Sequence, residues 1–191
     1  MRFIRFDYIY LKLNIFFIMR LITLFFMSFC LLVTNCKDDK VYKVIEETQE
    51  QIDARTIYQK DIEAIRYVEF ELSKESRKGV NDWQKFQELI VHVGALKKVD
   101  FTFFKDDPTV IKVFLTDFEL EMPESLQTNE ILARITALET KALKLNSLLT
   151  INNMSKEEQI HGVKEFLITV SNLNLQINKK FEFEKNNIIK S

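Results

Sequence analysis

Thr128-Asn-Glu-Ile-Leu-Ala-Arg-Ile-Thr-Ala-Leu-Glu-Thr-Lys-Ala-Leu-Lys-Leu-Asn-Ser-Leu-Leu-Thr150 places apolar residues at 131, 135, 138, 142, 145 and 149. At 3.6 residues per turn these positions share one side of an α-helix. The sustained 4-3 spacing suits antiparallel packing against neighbouring helices. Asn152-Asn153 ends the run. Ser155-Lys-Glu-Glu158 opens the next with capping-box spacing, in which a hydroxyl and a carboxylate each serve the other's backbone amide. A last helix then buries Ile160, Val163, Leu167, Val170, Leu173, Ile177 and Phe181.

The same periodicity extends upstream. Tyr58, Ile62, Ile65, Val68 and Leu72 follow three- and four-residue steps, which predicts one long helix over 41–72. Lys74 to Asn81, with Ser76 and Gly79, reads as a turn, and Asn81 as the cap of a second helix burying Trp83, Phe86, Ile90, Val93 and Leu96. Val99, Phe101 and Phe103 alternate as in a strand. A lone strand has no pairing partner, so the stretch reads as a packed connection. Asp107-Pro108 starts a third helix, because the acid caps and proline at the first helical position lacks an amide that would be unpaired anyway. That helix runs to about Glu121, stops near Pro123, and buries Ile111, Leu115 and Phe118, with Val110 and Phe114 beside them. Only three glycines and two prolines occur in 191 residues, which disfavours a turn-rich sandwich or barrel. The expected fold is all-α, a four- to five-helix up-and-down bundle.

Chemistry-bearing residues are few. Glu158-Gln-Ile-His161 sets a carboxylate and an imidazole one helical turn apart, as in the di-iron bundles, which need two such motifs and two further glutamates. Glu88 and His92 are a poor second pair, and Glu63 and Glu139 are the additional carboxylates. The plainer reading is that Glu158 caps and His161 lies on the surface. With two histidines, no histidine-glutamate zinc motif, no haem-attachment motif and no glycine-rich phosphate loop, neither a metal nor a cofactor nor an enzyme activity is expected. Trp83 and Phe101, Phe103, Phe104, Phe114 and Phe118 read by their spacing as core, with one ring of the Phe103-Phe104 pair left exposed.

The other informative stretch is Met19-Arg-Leu-Ile-Thr-Leu-Phe-Phe-Met-Ser-Phe-Cys-Leu-Leu-Val-Thr-Asn-Cys36, followed by Lys37-Asp38-Asp39-Lys40. A charged start, an apolar run and a cleavage-like end precede an abruptly charged segment. The stretch resembles a bacterial lipoprotein signal of the Bacteroidetes type, with Asn35 where a small residue is usual. The resemblance implies that Cys36 becomes an acylated mature N-terminus. It also makes Lys37, Asp38 and Asp39 similar to the charged tag that sends lipoproteins to the cell surface. The expected organisation is residues 1–35 as signal peptide or signal anchor, with Met19 a possible true start, 36–43 as lipidated cysteine and tether, and 44–191 as the helical domain.

The expected location is the cell envelope, lipid-anchored in the outer membrane and exposed at the surface. The alternative is an inner-membrane signal anchor, since Leu13 to Thr34 approaches the roughly 20 residues that span a bilayer. Positive charge precedes the apolar run, so both versions put the domain outside the inner membrane. Removing Arg2, Arg5, Lys12, Arg20 and Asp7 from 27 basic and 28 acidic residues leaves 23 and 27, a formal charge of −4. Such a surface gives no support for nucleic-acid binding. The expected function is a non-catalytic helical interaction module, partnered by the membrane through its lipid and by an unidentified protein. The alternative is a ligand- or metal-binding bundle carrier.

Overall fold

Among described residues 48–188, seven α-helices follow in chain order: α1 Gln49–Asp53, α2 Gln59–Glu63, α3 Lys74–Gly79, α4 Gln84–Leu96, α5 Pro108–Leu120, α6 Asn129–Thr150 and α7 Lys156–Ile188. Single 3-10 turns at Phe103–Lys105 and Glu124–Leu126 sit in the connections on either side of α5. This computed structural model describes residues 18–22 and 48–188, and among them there is no strand. The chain divides into two units, Met1–Glu46 and Glu47–Ser191. In the first, residues 18–22 are helical and expose Ile18, Met19, Leu21 and Ile22. Cys36, Lys37, Asp38, Asp39 and residues 23–35 lie outside the described residues. Among the described residues no helix is long and apolar enough to cross a membrane.

The second unit is an all-helical bundle built on the α6–α7 hairpin. Ile131, Ile135, Leu138, Ala142, Leu145 and Leu149 are all buried, as their spacing predicts, and face Val163, Leu167, Val170, Leu173 and Ile177 of α7. Thr128 caps α6 by accepting from Ile131 N at 3.3 Å. Glu158 Oε2 accepts from Ser155 N at 3.1 Å while Ser155 Oγ accepts from Glu158 N at 3.2 Å, completing the capping box at the start of α7. On the flank of the hairpin, Lys141 and Lys144 of α6 hold the two oxygens of Glu165 of α7 at 2.7 and 2.6 Å.

α5 packs on α6, and α4 packs on α5 through aromatic rings. Trp83, just before α4, is fully buried against Phe118, ring centroids 4.4 Å apart, and donates its indole N–H to Phe118 O at 2.9 Å. That bond satisfies the one polar atom of the largest core side chain. Two assignments within these helices are corrected. Leu89 is 1% exposed and Ile90 is 41% exposed, because Leu89 shares the face of Phe86, Val93 and Leu96. Val110 is 44% exposed, since Ile111, Phe114, Leu115 and Phe118 complete the inner face of α5. Asn81 does not cap α4; its amide donates to Asp82, and Trp83 occupies the cap position.

The largest departure from the periodicity lies upstream of α4. Of the expected long helix over 41–72, residues 41–47 lie outside the described residues, and 48–72 form two five-residue helices followed by an extended strap, 65–73. The expected turn at 74–81 is instead α3, capped by Ser73, whose Oγ accepts from Ser76 N at 3.1 Å. A polar stripe on α7 holds the strap. Ser171 Oγ donates to Val68 O at 2.9 Å and accepts from Phe70 N at 2.7 Å. Asn174 Nδ2 donates to Phe70 O at 3.0 Å. Asn178 donates to Glu71 O and accepts from Ser73 N, both at 2.8 Å. Ser171 and Asn178 thus bracket the carbonyl of one residue and the amide two further on, which fits an extended backbone. Tyr67, Val68 and Phe70 are weak helix formers, and with the amides of Phe70 and Ser73 and the carbonyls of Val68, Phe70 and Glu71 served by α7 the helical alternative loses its advantage. Val68, which the helical stripe would bury, is 68% exposed.

Candidate functional site

Three connections converge at the end of the bundle where α6 turns into α7. The residues after α1 supply Arg55, Thr56 and Ile57; the α4–α5 connection supplies Val99, Phe101 and Lys105; the α6–α7 turn supplies 149–154, joined by Gln159. Together they enclose a groove of about 770 Å³. Its floor is apolar, with Ile57, Phe101 and Leu149 buried, and its rim carries Asn152, Asn153, Thr56 and Thr150. No Asp or Glu is among the described residues that line it.

Local structure explains why the walls stay in place. Asn146, buried in α6, donates both amide hydrogens across to the α4–α5 connection, to Phe104 O at 3.0 Å and Asp106 O at 2.9 Å. Asp107 then caps α5 by accepting from Thr109 N at 2.7 Å, and hydrogen bonds from the Thr109 hydroxyl and then its amide hold the carboxyl below the usual range. On the facing wall Asp53 accepts from Tyr58 Oη at 2.5 Å, and Lys156 bridges to Asp61 at 2.6 Å, tying α2 to the start of α7. The hydrogen bond from Lys156 holds the Asp61 carboxyl low.

Val99 shapes the floor in an unusual way. α4 ends in a Schellman motif: Asp100 N donates to Ala95 O at 3.0 Å and Val99 N to Leu96 O at 3.1 Å. The residue that makes the second of these bonds with its own amide must turn left-handed, a position that glycine normally fills. Here it is Val99, with φ of 65°. A β-branched residue in that region is strained, and strain of this kind concentrates at functional sites. The strand-like alternation of 99, 101 and 103 therefore resolves into a helix stop, a buried Phe101 and a 3-10 turn.

The residues singled out for chemistry are dispersed into structural roles. Glu158 caps α7, and its hydrogen bonds to Ser155 lower its pKa. His161 is 66% exposed, with Nδ1 3.7 Å from Glu165 Oε2. Glu88 pairs with Lys85 at 2.9 Å, and His92 lies flat on Phe103, centroids 3.8 Å apart, with its pKa lowered by burial. Glu63 accepts from Gln59 on α2, and Glu139 lies on a separate groove of about 500 Å³ between α5 and α6. Among the described residues no three His, Cys, Asp or Glu side chains group so as to hold a metal ion. The phenylalanines pack on one another: Phe104 meets Phe166 at 4.8 Å and Phe103 meets Phe114 at 5.2 Å. Phe104 is fully buried, and Phe103, covered by His92, is half-buried rather than an exposed ring.

Sequence reasoning missed the groove. Asn152-Asn153 reads only as a helix stop, and Arg55, Val99 and Lys105 are unremarkable in a linear reading. A left-handed position after α4 had one available signal, the polar stretch Lys97-Lys98 before Val99, and it lacks the glycine that normally announces it. Compared with protein-family models, curated proteins and solved structures, the chain matches none.

Proposed function

We propose that the chain is an envelope lipoprotein, anchored in the outer membrane by acylation of Cys36 and carried to the cell surface by Lys37-Asp38-Asp39. Its helical domain is a non-catalytic interaction module that makes contacts through the groove at the α6–α7 end. The observation that carries this reading is the order of segments along the chain. An apolar run closes at Cys36, a charged tether follows, and a compact helical unit starts at Glu47. Further support comes from the use of Glu158, Glu88 and His92 in capping, ion pairing and stacking.

The deciding experiment is mass spectrometry of the protein purified from membranes. The expected product begins at an acylated Cys36, and Cys36→Ala leaves a soluble or uncleaved chain. An unmodified Cys36 with residues 1–35 attached refutes the lipoprotein reading and favours the signal anchor. Replacing Lys37, Asp38 and Asp39 with alanine is expected to lower protease access at the surface without reducing acylation. Metal analysis and ultraviolet-visible spectra of the same preparation test the module itself. Stoichiometric metal or a bound chromophore overturns the interaction-module reading in favour of a carrier.

A further inference from the structure

We infer that the outer face of α5 is an interface between two copies of this chain, the two α5 helices packing antiparallel about a two-fold axis. None of the residues on that face lines the groove at the α6–α7 end. Three observations converge on a second copy. Ile111, Phe114, Leu115 and Phe118 turn one side of α5 into the core. On the opposite side Thr109, Val113, Thr116 and Leu120 follow 4-3-4 steps, and all four are exposed, Leu120 by 79%. That spacing makes one narrow stripe, the seam that a facing helix covers along its length. Both threonine hydroxyls already have acceptors: Thr116 Oγ1 donates to Lys112 O at 2.9 Å, and the Thr109 hydroxyl donates to the Asp107 carboxylate. Covering the stripe therefore strands neither of them.

The second observation is the register that charge selects. In an antiparallel pair the layers set Val113 against the second copy's Thr116 and Leu120 against its Thr109. Lys112 then borders the second copy's Glu119, and the two-fold axis makes that contact twice. Both side chains are exposed and make no ion pair among the described residues, so each is available. On the other border Val110 meets the second copy's Asp117, a carboxylate within electrostatic reach of Lys85 in its own chain. A parallel pair would match Lys112 with that same Asp117 and leave Glu119 without a cation.

The third observation is the sign of charge along α5. The helix ends in Glu119 and its cap Glu121, with no basic residue in the last turn, which opposes its own dipole. Antiparallel pairing lays those carboxylates beside the first turn of the second α5, where the partial charge is positive. The helix has 13 residues and is about 20 Å long, so the seam holds four layers and the dimer is a weak, reversible one.

The test is sedimentation equilibrium of the full chain in density-matched detergent, from about 1 µM to about 1 mM. The expected result is a reversible monomer–dimer equilibrium. Lys112→Glu turns two attractive contacts into two repulsive ones and is expected to weaken the dimer roughly 30-fold, as is Glu119→Lys. Combining the two exchanges the charges and is expected to restore association to within about threefold of the unaltered chain. Leu120→Gln removes an apolar contact at each end of the seam and is expected to weaken the dimer roughly 100-fold. All three positions are exposed, and an unchanged circular dichroism spectrum confirms that each variant folds. A chain that stays monomeric over the whole range overturns the proposal and leaves the stripe to a helix of another protein. A dimer that withstands both Lys112→Glu and Leu120→Gln lies elsewhere on the chain and overturns it as well. A dimer that Lys112→Glu breaks while Glu119→Lys leaves it intact overturns the antiparallel register in favour of the parallel pair.

Discussion

Replacing Asn178 with alanine tests the feature that most distinguishes this fold from its sequence pattern, the strap held on α7. The side chain makes two bonds of 2.8 Å to the strap, donating to Glu71 O and accepting from Ser73 N. Glu71 is exposed, so its carbonyl regains water when the amide is removed, and that bond is worth only about 1 kcal/mol net. Ser73 is half-buried, and its stranded N–H adds about another 1 kcal/mol. The variant should therefore lower the free energy of strap opening by about 2 kcal/mol, which raises the open population roughly 30-fold.

Ser73 also caps α3, so residues 74–79 should loosen along with the strap. Native-state hydrogen exchange resolves both, because opening of a local unit is read at its own amides. Asn178→Asp, which keeps the acceptor for Ser73 N and loses the donor to Glu71, should show about half the effect. If residues 65–72 were helical, their amides would be protected by carbonyls four residues back and Asn178→Ala would leave their exchange unchanged. That result would refute the strap.

Other consequences follow from single sites. Lys141 and Lys144 hold the Glu165 carboxyl down to about 2, so the ionised form is favoured by folding. A depressed carboxylate contributes stability that is fully present above its unfolded pKa and is lost as pH falls through the folded value, here between about 4.5 and about 2. Solvent at Lys144 reduces the ideal figure of about 3 kcal/mol to about 1–2, so Glu165→Gln should lower stability by that amount at pH 7 and by almost nothing near pH 2 in denaturant titrations. Val99→Gly should be more stable than Val99→Ala by about 1 kcal/mol, the reverse of the order inside a helix, and equal or inverted stabilities would remove the left-handed strain. A Cβ at Gly94 meets nothing within 4 Å, so Gly94→Ala should stabilise by about 1 kcal/mol, raising the melting temperature. Burial holds the His92 imidazole below its ordinary pKa, so folding disfavours its protonation; stability should fall as pH drops below about 6.5, and a His92→Phe variant should lose that dependence.

The legibility of the fold tracks how locally each element is determined. α6 was readable because six apolar positions, a capping threonine and an asparagine stop all agree within one stretch. Asp107-Pro108 and Ser155 to Glu158 are equally local signals, and all three helix starts stand where they place them. The strap was not readable from its own residues. Tyr58, Ile62, Ile65 and Leu72 satisfy a helical period, yet the partners of the strap's backbone lie about a hundred residues away, at Ser171, Asn174 and Asn178. The same distance hid the groove. Its three walls are separated by as much as a hundred residues of sequence, and Asn146, the residue that fixes one of them, reads in α6 as an ordinary polar position.

The sequence by itself determined the helical class, the boundaries of α5 and α6, the start of α7, and the expectation of a lipid at Cys36, since periodicity, caps and a charged boundary are written in neighbouring residues. Only the tertiary structure decided that 65–73 is extended, that Val99 turns left-handed, and that Arg55, Lys105, Asn152 and Asn153 border one groove. The physical reason is that a backbone amide accepts whichever partner packing brings to it. For the strap that partner is a side chain on α7, which no local pattern in residues 41–72 encodes.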